Sequence, residues 1–419
     1  MTETTRLSRK LNSKDAIIIG LSAMIGSGIF AAIGPATLAA GSGVLFGIII
    51  AGLIAYLNAT SMAQLAAVYP ESGGTYVYGG KQLGEFWGFI AGWGFIIGKI
   101  ASCSAMALTF GYYASESYGK PLAILAVLAL TFVNYLGVKK TALVTRILVS
   151  VVLVSLAIMV IASLSGGTVD SSRLSNWTIQ GGFRGILESA GLMFFAFAGY
   201  ARVATLGEEV IKPKETIPKA IMIALGFTIL IYLLVITASL LTLDAEVIAN
   251  SKAPLEAVLK STRFSFLSPI VQIGACFGSI GVLLALLAGI SRTMFAMAAN
   301  HHLPHFLSRV HPKHKVPHYA EVIVGVIVAV IVGFVDLRSA IGFSSFSILT
   351  YYAIGNLSAW TLEKKNRLWP YWMSLLGFFA CVVIAFNLPK QSILGGVFVF
   401  SVGILYFGIK KFIGRKKYD

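Results

Sequence analysis

An apolar run from Ala16 to Ala40 is long enough to cross a bilayer, yet it carries Gly26-Ser27-Gly28-Ile29-Phe30 at its middle. Two glycines and a serine weaken a helix at the depth where unbroken backbone bonding is needed most. Within hydrocarbon, freed N–H and C=O groups persist only where they line a cavity or are buried in protein. The run therefore predicts a membrane helix broken in two, with the break as a candidate binding site.

Apolar stretches of spanning length recur along nearly the whole chain, and a composition of 57% hydrophobic and 12% charged residues fits a multi-span membrane protein. Twelve spans are expected, at about 15–40, 43–67, 86–115, 121–137, 142–165, 183–207, 217–243, 266–298, 319–336, 339–361, 369–388 and 391–412. The first is too long and too glycine-broken for the apolar region of a cleaved signal peptide. The lipid bilayer is thus the first partner of the chain. A net charge of +16 fits topology rather than nucleic acid. With the N-terminus inside, Arg6, Arg9, Lys10, Lys14, Lys139, Lys140 and the basic group at 410–417 all fall on the cytoplasmic side, and a minority that includes Lys120, Arg173, Lys252 and Lys390 falls outside. Both termini are then cytoplasmic. Short termini and loops of bacterial or archaeal kind make the plasma membrane the expected location, although Asn176-Trp177-Thr178 fits a glycosylation sequon. Cys103, Cys276 and Cys381 all lie inside expected spans and read as packing residues, with no metal cluster and no cofactor implied.

A second break, Phe195-Ala196-Phe197-Ala198-Gly199-Tyr200, lies near the middle of the sixth span. If spans one to five and six to ten are two units, the breaks occupy corresponding places, and five being odd makes the second unit inverted. The expected fold is all-α: a cytoplasmic tail (1–14), a first inverted repeat (15–165), a second (183–362), two further helices (369–412) and a short tail (413–419). Paired interrupted helices in inverted repeats point to the substrate site of a secondary transporter. Where the first helix resumes at Gly28, free N–H groups and the positive dipole end suit a carboxylate, with the Ser27 hydroxyl beside them. At the second break, carbonyls of Phe195, Ala196 and Ala198 suit an ammonium. The two ends of an α-amino acid are described, with Phe195, Phe197 and Tyr200 as an apolar wall or gate.

Gly26-Ser27-Gly28-Ile29-Phe30, the loop Tyr69-Pro70-Glu71-Ser72-Gly73-Gly74-Thr75-Tyr76 with Gly92-Trp93 after it, and Ser291-Arg292-Thr293-Met294-Phe295-Ala296-Met297-Ala298 leading to Leu303-Pro304 resemble the amino acid–polyamine–organocation (APC) transporter family. The resemblance implies the five-plus-five inverted-repeat fold, alternating access, and a substrate held by the backbone of broken helices one and six. Carried onto this chain, that means Ile25, Gly26, Ser27, Gly28 and Ile29, and Phe195, Ala196, Phe197, Ala198 and Gly199. Two departures stand out. The acidic residue that many relatives carry after the sixth-helix glycine is Ala201 here, followed by Arg202, and the fifth-helix lysine of some proton-coupled relatives is Val152.

The chain has another lysine at membrane depth. Lys99 lies midway along the third span, where a charge costs at least about 2.5–3.5 kcal/mol and normally faces a cavity or a partner. Its protonation is expected to be linked to transport, with protons as coupling ion. Apart from Glu188, near the start of the sixth span, carboxylates such as Glu208, Glu209, Asp336 and Glu363 sit at span ends and loops. A cationic side chain would meet Lys99 with no acid opposite, so neutral amino acids are favoured. An exchanger, or an antiporter for cationic amino acids or polyamines, is the alternative within the family. An intramembrane enzyme has no HExxH or GxSxG pattern to rest on, and all six histidines, from His301 to His318, lie in one loop. A channel would need a continuous polar pore, for which the spans hold too few polar residues.

Overall fold

The computed structural model describes residues 11–71, 73–137, 142–166, 169–175, 179–204, 206 and 209–415. The sequon at 176–178, most of the two tails, and Ser72, Lys139, Lys140 and Glu208 lie outside them. Helices account for most of the described residues, and only two isolated bridges, Leu11 with Val210 and Gly41 with Ile179, have β geometry.

The first span is two helices, α1 (Ser13–Ile25) and α2 (Gly28–Ala40), as the glycines predict. Asn12 starts α1 with a capping box: its Oδ1 accepts from the Asp15 N–H at 3.0 Å, and the Asp15 carboxylate accepts from the Asn12 N–H at 3.3 Å. There follow α3 (Val44–Val68), α4 (Thr75–Leu83), α5 (Glu85–Ala114), α6 (Gly119–Tyr135), α7 (Ala142–Ser165) and a single turn, α8 (Ser172–Ser175). The second broken span is α9 (Gly182–Phe197), a 3₁₀ turn (Ala198–Tyr200) and α10 (Ala201–Ala204). Then come α11 (Pro213–Thr242), the short α12 (Ala245–Asn250) and α13 (Pro254–Lys260), α14 (Ser268–Ala299), α15 (His318–Phe334), α16 (Leu337–Trp360), α17 (Tyr371–Ala385) and α18 (Lys390–Arg415). The segments at 68–85 and 243–266, expected as loops, thus contain short helices.

Among the described residues, eight spans are long and apolar enough to cross a membrane, and the two broken spans, Ser13–Ala40 and Gly182–Ala204, are among them. Three shorter apolar helices, α6, α15 and α17, accompany them. Helix α16 is 24 residues long and stands outside both groups. Its sequence explains this, since Ser344, Ser345, Ser347, Tyr351, Tyr352, Asn356 and Ser358 are buried within the protein and dilute its apolar character. Large apolar side chains such as Leu53, Phe132, Ile161, Phe334, Leu394 and Leu405 cover the outside, as a lipid-facing surface requires. Helix α5 is the most buried of the eight and α18 the least.

Small residues let the broken helices touch through their backbones. A Cβ on Gly28 would lie 2.6 Å from Ala196 Cα, one on Gly199 would lie 2.1 Å from the Ala23 carbonyl oxygen, and one on Gly278 of α14 would lie 1.6 Å from the Gly26 carbonyl oxygen. None of these neighbours is a flexible side-chain tip. Close approach of this kind is how membrane helices gain packing energy where lipid removes the hydrophobic drive. Gly278→Ala should therefore cost about 1–3 kcal/mol from overpacking. Gly289→Ala on the same helix meets nothing within 4 Å and should stay within about 0.5 kcal/mol. Thermal unfolding of the two variants in detergent compares them directly, and equal midpoints would refute the backbone contact.

Candidate functional site

At the first break Gly26 keeps helical angles and Ser27 departs from them, at φ −150° and ψ −7°. The ladder of α2 begins with the Ala31 N–H bonded to the Ser27 carbonyl at 3.1 Å. The N–H groups of Gly28, Ile29 and Phe30 therefore precede the ladder, at the positive end of α2. Ser27 does not cap them, because its hydroxyl donates instead to the sulfur of Met106 on α5. Ile25, Gly26, Ser27, Gly28 and Ile29 are all buried.

The second break is a single 3₁₀ turn directly against the first, through Gly28 and Ala196. The carbonyls expected to stand unpaired there have donors. Phe195 O accepts from the Ala198 N–H. The Tyr232 hydroxyl of α11 lies 2.7 Å from the Met24 carbonyl and 3.2 Å from the Ala196 carbonyl, sharing one proton between the two breaks. The Tyr352 hydroxyl of α16 donates to the Ala198 carbonyl at 3.2 Å. The physical reason is the low dielectric, which makes any unpaired carbonyl at this depth expensive. Neither tyrosine was singled out from the sequence. The available signal was an aromatic with a polar tip in the middle of a span.

The aromatic residues of the break divide. Phe197 packs on Tyr232 with ring centroids 5.2 Å apart, and Tyr200 stacks on Tyr352 at 5.0 Å, both fully buried. Phe195 retains 9% exposure. Glu188, on α9, is engaged by Arg338 of α16 at 2.6 Å. Val152 borders Gly278, with Cγ2 3.1 Å from the position of a Cβ there, and so faces the same backbone junction.

Lys99 is not at the break. It is buried on α5, two helical turns from Met106, or about 10 Å along the axis. Among the described residues it takes part in none of the ion pairs. Cys103 lies one turn away on the same face. Sequence reasoning also missed Glu321, an acid just inside the span at 319–336. It is 3% exposed and accepts from the Ser291 hydroxyl of α14 at 2.6 Å.

The sequence motifs themselves converge in space. A Cβ on Gly92 would lie 2.6 Å from Met297 Sδ and 2.9 Å from Tyr76. The Tyr76 hydroxyl accepts from Asn300 Nδ2 at 2.9 Å and sits 2.9 Å from His302 Nδ1, whose ring in turn meets Glu85 at 3.1 Å. Burial, with Glu85 adding to it against the Asn300 hydrogen bond, holds the Tyr76 hydroxyl above the usual phenol range, so it stays neutral at physiological pH. A cavity of about 410 Å³ lined by His301, His305, Tyr406 and Lys410 lies by this network and away from the breaks.

The sequence model of a family described as amino acid permease matches residues 11–409. An uncharacterized transporter of Mycobacterium tuberculosis is 50% identical over 414 residues, 98% of this chain and 93% of its own. The branched-chain amino acid permease BcaP of Bacillus subtilis is 30% identical over 386 residues, 86% of this chain and 82% of its own. Cationic amino acid transporter 7 of Arabidopsis thaliana is 27% identical over 441 residues, covering 96% and 75%.

Tyr232→Phe should leave the Met24 and Ala196 carbonyls without their donor and cost about 1–3 kcal/mol, with Tyr352→Phe costing less because it frees one carbonyl. Thermal midpoints in detergent read both. An unchanged midpoint for Tyr232→Phe would show that water takes over its place.

Proposed function

The chain belongs to the amino acid permease family, a multi-pass membrane transporter rather than an enzyme, and from that footing we propose that it carries neutral amino acids across the plasma membrane by alternating access, driven by protons. The observation that carries this reading is the contact of Gly28 with Ala196. It brings the N–H end of α2 against the last turn of α9, which leads into the 3₁₀ turn, and this supports reading the two breaks as the carboxylate and ammonium ends of one site.

In this reading twelve helices span the membrane, α1 to α7 and α9 to α16 form two inverted five-helix repeats, α17 and α18 lie outside them, and both termini are cytoplasmic. The substrate carboxylate takes the N–H groups of Gly28 and Ile29, with the Ser27 hydroxyl turning from Met106. Its ammonium displaces the Tyr232 and Tyr352 hydroxyls from the Ala196 and Ala198 carbonyls. One donor replaces another, so the break is never left bare. Ile25, Gly26, Phe197 and Gly199 shape the backbone around them, and Phe195 is the aromatic best placed to act as gate, with Phe197 and Tyr200 behind it. A neutral guest is favoured because Lys99 is buried without an ion pair among the described residues, while Glu188, the acid nearest in sequence to the break, is already held by Arg338. Exchange of one amino acid for another is the alternative mode that the same geometry serves.

Uptake into proteoliposomes of a panel of amino acids, with proton and sodium gradients imposed separately, tests the reading. Saturable uptake of neutral amino acids driven by an inward proton gradient is expected, and sodium dependence without proton dependence would overturn it. Gly28→Val should raise the KM about tenfold or more by displacing one or two charge-assisted hydrogen bonds worth about 1.5–3 kcal/mol each. Lys99→Met should flatten the pH profile of uptake. An unchanged rate and profile would remove Lys99 from the coupling.

A further inference from the structure

One buried acid and one half-buried imidazole each have a buried polar atom that the site leaves unused. Glu321 lies in the first turn of α15, 3% exposed, and only its Oε1 is bonded, to Ser291. Its Oε2 is buried without a hydrogen-bond partner. One turn earlier His318 opens the helix, and its Nδ1 is likewise buried and without a partner. Residues at i and i+3 have Cβ atoms about 5–6 Å apart, so a rotamer change or a single water joins the two atoms.

From His318 the histidines continue to the surface. The His311 ring is 5.3 Å from that of His318 and 4.7 Å from that of His314, and Tyr135 of α6 lies against all three at 5.4–6.4 Å. Their spacing gives no metal site among the described residues. Partial desolvation, and then the charges of His314, His318 and Lys313, hold the His311 imidazole below its usual pKa, so it is neutral at pH 7 and able to accept a proton.

We propose, on the footing of proton-coupled transport, that Glu321 holds the proton that moves with the substrate and that His318, His314 and His311 carry it from Glu321 to the cytoplasm. The step is a plain proton transfer. The protonated Glu321 gives its Oε2 proton to His318 Nδ1, becoming carboxylate as the imidazole becomes imidazolium, and the proton leaves through His314 and His311. The charged and titratable groups around Glu321 suit a carboxyl that changes state. Helix α14 brings Arg292 beside Ser291, α5 brings Cys103 within electrostatic range of both Glu321 and Lys99, α6 brings Tyr135, and the turn at His305–Ser308 brings the exposed His305. Arg292 stabilises the carboxylate without forming an ion pair with it, so the proton is held against a modest opposing field and can leave again.

The full-length protein in proteoliposomes with a trapped pH dye tests this. Glu321→Gln should lose the internal acidification that accompanies uptake of a neutral amino acid, yet keep counterflow, which needs no net proton movement, within about twofold. His318→Gln should slow acidification on the order of 10²-fold, as loss of a positioned acid–base group does. Acidification by Glu321→Gln at the wild-type rate overturns the assignment and leaves proton coupling standing. Wild-type protein that transports without acidification overturns proton coupling itself. A folded Glu321→Gln that loses counterflow as well also overturns the assignment, since Glu321 then serves the substrate movement. Should that variant not elute as a monodisperse protein, Glu321→Asp replaces it. The shorter acid withdraws the proton from His318, so slower acidification with intact counterflow is expected, and acidification at the wild-type rate overturns the path.

Discussion

Backbone against backbone at the two breaks is the contact from which the rest of the structure follows. Hydrocarbon forbids orphaned N–H and C=O groups, so a helix can be interrupted at membrane depth only if another interrupted helix or a polar side chain closes over the gap. Gly28 on Ala196, Gly199 on Ala23 and Gly278 on Gly26 are three such closures, each possible because one partner has no side chain. They tie α1, α2, α9 and α14 into one unit. The helices that supply hydroxyls to it, α11 and α16, must then lie within one hydrogen bond of the same point.

A second convergence fixes the far end of α5 and α14. The glycine-rich loop delivers Tyr76 to Asn300 and His302, while Gly92 leaves room for Met297 between them. Segments separated by some two hundred residues thus share one network, and this is the physical content of three motifs that look unrelated in the sequence. The polar contacts at this end couple α4, α5 and α14. A shift of α14 that opened the contact at Gly278 would also strain the bonds of Tyr76 and His302 at its other end.

The sequence was most legible where the signal is local. Both breaks lie where glycine and hydropathy put them. What could not be read depends on long-range placement. The Tyr232 hydroxyl reaches carbonyls 36 and 208 residues away in the chain, and nothing near Met24 or Ala196 announces it. Helix α16 shows the converse: its serines and tyrosines lower its hydropathy because it is buried in protein rather than lipid. Glu321 escaped notice because an acid at the margin of a span reads as an interfacial residue, and only its burial against Ser291 distinguishes it from Asp336 or Glu363. The composition of the histidine loop likewise does not reveal that the Nδ1 atom of His318 is buried.

The tyrosine hydroxyls bear on energetics as well as on closure. In the proposed reading, an arriving ammonium that replaced Tyr232 and Tyr352 would exchange neutral donors for charged ones, gaining about 1 kcal/mol per bond by the difference between neutral and charge-assisted hydrogen bonds. The gain is differential, present only when the substrate is seated, and only differential binding can shift a conformational equilibrium. Unpaired carbonyls would have bound the substrate more tightly in the resting state, but at the cost of several kcal/mol of instability in its absence. Capping them with displaceable hydroxyls trades affinity for a stable empty fold. The hydroxyls belong to α11 and α16, so in the proposed reading their release would be transmitted to both helices.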